Sequence, residues 1–321
     1  MTTTNLLPPP AATRRAWPAY ALPAWAVGYG LLRAVWLLAG APSFGPLGTD
    51  LVVFTGGWPL VLCAAAGVVG VGLARARSWR PGLVGAAGAV CAALLVSGAL
   101  FLLDLVGFLI GDLTAAFTPA GFLGRAGAVT GALLLAAAAL GHVRRFRGDC
   151  GECGRTRRSG GPVPGWARIA ARVAVAGCLI RLAAQVAVGF GDVPLTRGAS
   201  MAVFEVGFLL AGVLLPLALV HHWGTVWPGW VPLLAGRRVP PMLLLVPAYV
   251  FGVGLVGYFG VGLGQLAVET VTGSFDPGDG RFPLSFFWVA ESGYWAWGWG
   301  LLAAATAHRR RTRRPCRHCG R

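Results

Sequence analysis

Four cysteines are spaced for chemistry. Cys150-Gly-Glu-Cys153-Gly-Arg and Cys316-Arg-His-Cys319-Gly-Arg each place two thiols three residues apart, with a glycine directly after the second. Such a turn aims two thiolates at one centre, and glycine admits a backbone conformation that other residues resist. Two turns together offer the four sulfurs of a tetrahedral zinc site. The same thiols could act as a redox dithiol, share a metal between two copies of the chain, or hold none. The arginines nearby favour the thiolate form. His142, His308 and His318 are possible substitute ligands, although His142 and His308 read better as residues where helices leave a membrane. Cys63, Cys91 and Cys178 lie inside apolar stretches and read as packing residues.

A second set is chemically costly where it stands. Arg33, Asp104, Arg125, Arg181, Glu205 and Glu291 interrupt long apolar segments. Each costs about 2.5–3.5 kcal/mol near the centre of a bilayer on insertion scales. Three are basic and three acidic, so their charges cancel. Counted from the outer ends of their segments, all lie about 6–14 Å deep at 1.5 Å per residue, which makes one layer in the outer half of the membrane. The layer reads as buried ion pairs that orient helices, as an outward cavity binding a polar or anionic ligand through Arg33 and Arg181, or as a lipid-headgroup contact. Arg125–Glu291 is the expected pair, with Asp104 and Glu205 countering Arg33 and Arg181. Trp288, Tyr294 and Trp295 lie near the layer.

These residues need elements that live in lipid. The chain is 56% hydrophobic and 12% charged over 321 residues. A soluble domain carries about 25% charged residues, so an apolar solvent must cover the surplus. A bilayer core about 30 Å thick is crossed by roughly 20 apolar residues in a helix. Eight segments meet that length: 19–40, 50–74, 82–111, 121–143, 167–190, 201–222, 241–268 and 286–307. The expected fold class is therefore an all-α integral membrane protein with eight transmembrane helices. Residues 1–18 read as a disordered cytoplasmic tail, and the first apolar run is too long for a cleaved signal peptide.

The formal charge of +16 comes from arginine. In a soluble chain that would suggest nucleic acid. Here the arginines sit in alternate loops: Arg75, Arg77 and Arg80; Arg144, Arg145 and Arg147; Arg237 and Arg238; and Arg309, Arg310 and Arg311. The opposite loops hold Arg197 and Arg281 with Asp192, Asp276 and Asp279. Positive residues stay inside, so both termini are expected in the cytoplasm, with the lipid bilayer of the plasma membrane as partner. Trp223, Trp227 and Trp230 place the loop after the sixth segment on the inner membrane surface.

Residues 135–155 and 301–321 align without a gap, with twelve of 21 positions identical, including His142/His308 and both cysteine pairs. Leu32-Arg33 echoes Ile180-Arg181, and Val53-Phe54 echoes Val203-Phe204. The expectation is two four-helix repeats of the same orientation, 19–155 and 167–321, joined by a cytoplasmic linker at 156–166.

The two Cys-x-x-Cys-Gly turns resemble the knuckles of zinc-ribbon proteins, which implies a structural zinc held by Cys150, Cys153, Cys316 and Cys319. The whole chain resembles multi-pass membrane proteins of high-GC actinobacterial type, which implies architecture and no particular activity. Gly252-Val-Gly254-Leu-Val-Gly257 spells a dinucleotide fingerprint, but it lies within a continuous apolar segment and lacks the preceding strand. No haem or nucleotide site is expected, and no catalytic motif stands out. The functional expectation is a transporter or permease-like protein for a polar or anionic solute, with a zinc clasp joining its halves. The alternative is a non-catalytic scaffold or a metal- or redox-responsive partner protein.

Overall fold

A computed structural model describes residues 17–40, 54–110, 118–147, 150, 162–188, 199–276, 282–313 and 316. The described secondary structure is helical, apart from one isolated bridge between Val226 and Arg238. The helices are α1 (Trp17–Ala39), α2 (Trp58–Arg75), α3 (Pro81–Ser97), α4 (Phe101–Ile110), α5 (Pro119–Phe146), α6 (Gly165–Val188), α7 (Ala199–Val220), α8 (Pro241–Thr272) and α9 (Leu284–Thr312). The expected tail at 1–18 falls almost wholly outside the described residues, as do most of the 156–166 linker and the outer loop at 189–198.

Local chemistry explains where the helices start and stop. Proline stands in the first turn of α2, α3, α5 and α8. Its missing N–H costs nothing there, and its fixed φ suits a helix. Arginines fill the last turns of α2, α5 and α9, where they complement the negative end of the helix dipole. Gly273 ends α8 with φ +68°, and its N–H donates to the Glu269 carbonyl, a left-handed cap that favours glycine.

Among the described residues, five helices are long and apolar enough to cross a membrane: α1 (from Ala21), α2, α5, α6 and α8. Their outward faces carry Val27, Leu31, Leu38, Val68, Leu133, Ile169, Val186 and Val268, all exposed. Contiguous apolar surface on this scale fits hydrocarbon and not water. The third expected segment is not one helix but two. Its chain turns at Gly98–Leu100, where the Gly98 N–H is shared among the Leu94, Leu95 and Val96 carbonyls.

The ninth helix is the hub of the C-terminal helices. Gly293, Trp297, Gly298, Leu301, Ala304 and His308 are all buried, because α6, α7 and α8 surround α9. A helix wrapped by protein has no need of uniformly lipophilic residues, so α9 can carry Gly, Ser and three terminal arginines. In the N-terminal half, α5 packs against α1, α2 and α3. The cores are separate: Leu22, Leu62, Leu73, Leu94 and Leu135 fill the first, and Cys178, Leu219, Leu255, Trp297 and Leu301 fill the second. Contacts of α3 and α4 with α8, and of α4 with α7, join them. Leu102 of α4 crosses over to join the second core.

Candidate functional site

The charged residues expected to share one layer fall into local clusters. In the N-terminal half, the helix break places Asp104 in the first turn of α4, where a carboxylate is favoured by the positive helix end. Asp104 is only 9% exposed. Arg125 reaches it from α5, with Nη1 2.5 Å from Oδ1. This differs from the expected Arg125–Glu291 pair. The turn at Gly98 is the reason: it packs against the Arg125 carbonyl and Val129, so α4 starts beside α5. The second carboxylate oxygen, Oδ2, is buried without a hydrogen-bond partner.

Arg33 lies on α1, half-buried. Its guanidinium sits 5.5 Å from the Trp36 ring centroid and interacts with Tyr29 and Cys63. Tyr29 also donates its hydroxyl to the Gly124 carbonyl at 2.6 Å, and the Trp25 indole donates to Gly127 at 2.9 Å. The two rings stack, 5.5 Å apart. They lie over Gly127 and Gly131, where any Cβ would collide with them. Glycine on α5 thus lets two aromatic rings of α1 reach its backbone.

The α6–α9 contact in the C-terminal helices is made of small residues instead of rings. Gly177 of α6 and Gly293 of α9 meet backbone to backbone, and Gly300 meets Ala170 and Ala174, the small-residue packing common between membrane helices. Beside this seam, Arg181 stacks on Tyr294 at 5.4 Å. Tyr294 in turn stacks on Phe259 of α8 at 3.9 Å and neighbours Phe208 of α7. One tyrosine therefore ties four helices together.

Glu291 turns toward α8. A Cβ on Gly262 would come within 2.9 Å of its Oε2, so the glycine makes room for the carboxylate. That oxygen is buried and without a hydrogen-bond partner. Glu269 lies close enough to repel Glu291 and accepts a hydrogen bond from Gln265 at 2.9 Å. Glu269 and Gln265 were not expected in the layer, because they stand at the end of an apolar segment. Glu205 belongs to α7, and its side chain lies outside the described residues. Trp295 meets Trp299, 6.1 Å apart.

No protein-family model, curated protein or solved structure matches this chain.

The cysteine turns are described only in part. Cys150 and Cys316 are half-buried, while Cys153 and Cys319 lie outside the described residues. Among the described residues, no three His, Cys, Asp or Glu side chains gather as metal ligands. His142 and His308 turn inward, 2% and 1% exposed. His142 lies between Trp79 and Phe146, with neither ring nitrogen hydrogen-bonded. His308 Nδ1 donates to the Leu219 carbonyl at 2.9 Å. Cys63 and Cys178 are buried, and the Cys91 thiol faces the Ala132 carbonyl at 3.4 Å. Gly252 and Gly254 of the apparent nucleotide fingerprint sit within α8 against Leu302 and Leu102.

The loop after α7 folds on itself. The Trp227 N–H donates to Arg237 and the Val239 N–H to Thr225. This presents Trp230 and Leu233 outward.

Proposed function

We propose that this chain is a multi-pass membrane protein of transporter or permease type, whose polar pathway for a polar or anionic solute runs along the interrupted α3–α4 helix. The observation that carries this reading is the break at Gly98–Leu100. It lies against α8, where the two halves meet, and it starts α4 just before Asp104. Interrupted helices at the junction of two halves are a recurring way for transporters to bring backbone dipoles and charges into the bilayer. A buried carboxylate oxygen without a partner is costly. In a membrane protein such a group is by default a candidate for function. Asp104 and Glu291 each present one. In this reading Arg33 and Arg181 attract the anion, and Arg125, Glu205 and Glu291 complete the layer.

The same reading includes eight spans, with α3 and α4 counted as one and with α7 and α9 added to the five apolar helices. It includes two tandem four-helix repeats. In support, α1, α2 and α3 with α4, and α5, pair among themselves in the same pattern as α6, α7, α8 and α9. Both termini are placed in the cytoplasm on the strength of the arginine loops. A zinc ion held by Cys150, Cys153, Cys316 and Cys319 would clasp the halves. Four thiols of this spacing suit zinc chemically. Because α5 and α9 share no extensive packing, the tails beyond them would have to make the clasp.

A second reading, a sealed scaffold or a metal- or redox-responsive partner protein, is favoured by the Arg125–Asp104 pair and by the rings over Arg33 and Arg181. Water accessibility separates the two. Ala99→Cys lies at the break, and Val68→Cys faces outward toward lipid. In open membranes a small charged thiol reagent should modify Ala99→Cys and spare Val68→Cys. Ala99→Cys as inert as Val68→Cys would favour the scaffold.

A further inference from the structure

Arg75 and Arg77 at the end of α2 and Arg145 at the end of α5 line one cleft of about 690 Å³, together with Ala74, Ala76 and Phe146. Among the described residues, no acidic side chain lines it. Among the described residues none of the three arginines is ion-paired, and the ion pair formed elsewhere, Arg125–Asp104, lies on other helices. Topology arginines ordinarily need only water. Some of this charge also answers the ends of α2 and α5, each worth roughly half a negative charge. Three guanidiniums against two helix ends still leave about two positive charges facing one space. The Phe146 wall is braced, because its ring neighbours that of buried His142, 4.8 Å away, and Trp79 stacks on the same imidazole at 5.6 Å.

We propose that this cleft is a binding site for a phosphate-bearing anion at the helix ends, on the face of the protein that carries the arginine loops. The guanidinium fork matches phosphate oxygens two at a time. Phe146 and the alanines offer apolar cover beside the charge, which suits a phospholipid headgroup whose glycerol end lies toward the bilayer. A soluble phosphate would use the same three groups. The inference stands apart from the transport reading, since it uses neither the α3–α4 break nor the charged layer.

Native mass spectrometry of the full chain, released from membranes containing phosphatidylglycerol and phosphatidylcholine, tests it. The unaltered protein should retain phosphatidylglycerol in preference to phosphatidylcholine. Arg77→Gln should weaken that retention about tenfold, as loss of a charge-assisted hydrogen bond does. The variant combining Arg75→Gln, Arg77→Gln and Arg145→Gln should abolish it. Arg237→Gln with Arg238→Gln, in another basic loop, should leave it within about twofold. A parallel arm titrates inorganic phosphate. Phosphate binding that depends on the same arginines, without lipid preference, would assign the site to a soluble anion. Retention of both anions unchanged in the triple variant, with the variant still monodisperse in size-exclusion chromatography, would overturn the proposal.

Discussion

Arg125 on α5 holds Asp104 on α4, and the two side chains are nearly excluded from solvent. The pair exists because the chain turns at Gly98 instead of continuing as one helix. It fixes the short helix α4 to the N-terminal half, while Leu102, two residues earlier, packs into the C-terminal half.

Breaking this pair from one side should therefore hurt more than removing it. Asp104→Ala or Arg125→Ala leaves an uncompensated buried charge, worth about 3–5 kcal/mol of stability. The double variant Asp104→Leu/Arg125→Met should cost clearly less than the sum of the two. Unfolding in mixed micelles measures all three. Additive losses would mean that the charges do not interact.

The α6–α9 seam should tolerate no side chain at Gly177. A Cβ there would run into the Gly293 carbonyl and the Trp297 backbone. Gly177→Leu should cost about 1–3 kcal/mol or more through overpacking. Gly28 on α1 meets nothing within 4 Å. Gly28→Ala should be neutral or stabilising by about 0.5–1 kcal/mol. Thermal unfolding in detergent distinguishes the two positions.

The α1–α5 contact depends on rings above glycines. Tyr29→Phe removes the hydroxyl bond to Gly124 and should cost about 0.5–1.5 kcal/mol. Gly127→Val should cost more, because the Tyr29 ring must leave the α5 backbone. A stable Gly127→Val protein with unchanged unfolding would contradict this packing.

The proposed zinc clasp has a direct assay. Protein purified without added metal should carry one zinc per chain by elemental analysis. Cys150→Ser/Cys316→Ser should carry none, and its two halves should separate more readily after proteolysis near the linker. Zinc absent from the unaltered protein would eliminate the clasp.

Much of the helical framework was readable from residue order. Apolar length located the helices to within a few residues for α1 and α5–α8, because lipid exposure demands long apolar runs. The start of α2 lay later than expected, at Trp58, where Pro59 supplies a better first turn than the residues before it. The α3–α4 break was not readable, since Gly98 looks like any of the 49 glycines until Val129 and the Arg125 carbonyl are seen against it. The six charged residues were picked out by their cost in lipid. Their partners were not, because pairing depends on helix rotation: Arg125 met Asp104, and Glu291 faced Gly262. His142 and His308 read as residues where helices leave the membrane, and both stand near the C-terminal ends of α5 and α9. Their enclosure by aromatic neighbours and the Leu219 carbonyl was not readable, because it depends on which other helices pack there.

The most direct test concerns immersion and orientation. Ser78 lies in the basic loop between α2 and α3, and Ser274 follows α8; both are exposed, and the proposed topology puts them on opposite sides of the membrane. On intact cells, a membrane-impermeant maleimide should label Ser274→Cys and leave Ser78→Cys unlabelled until the cells are permeabilised. Labelling of Ser78→Cys on intact cells, alone or together with Ser274→Cys, would contradict the placement of the arginine loops in the cytoplasm.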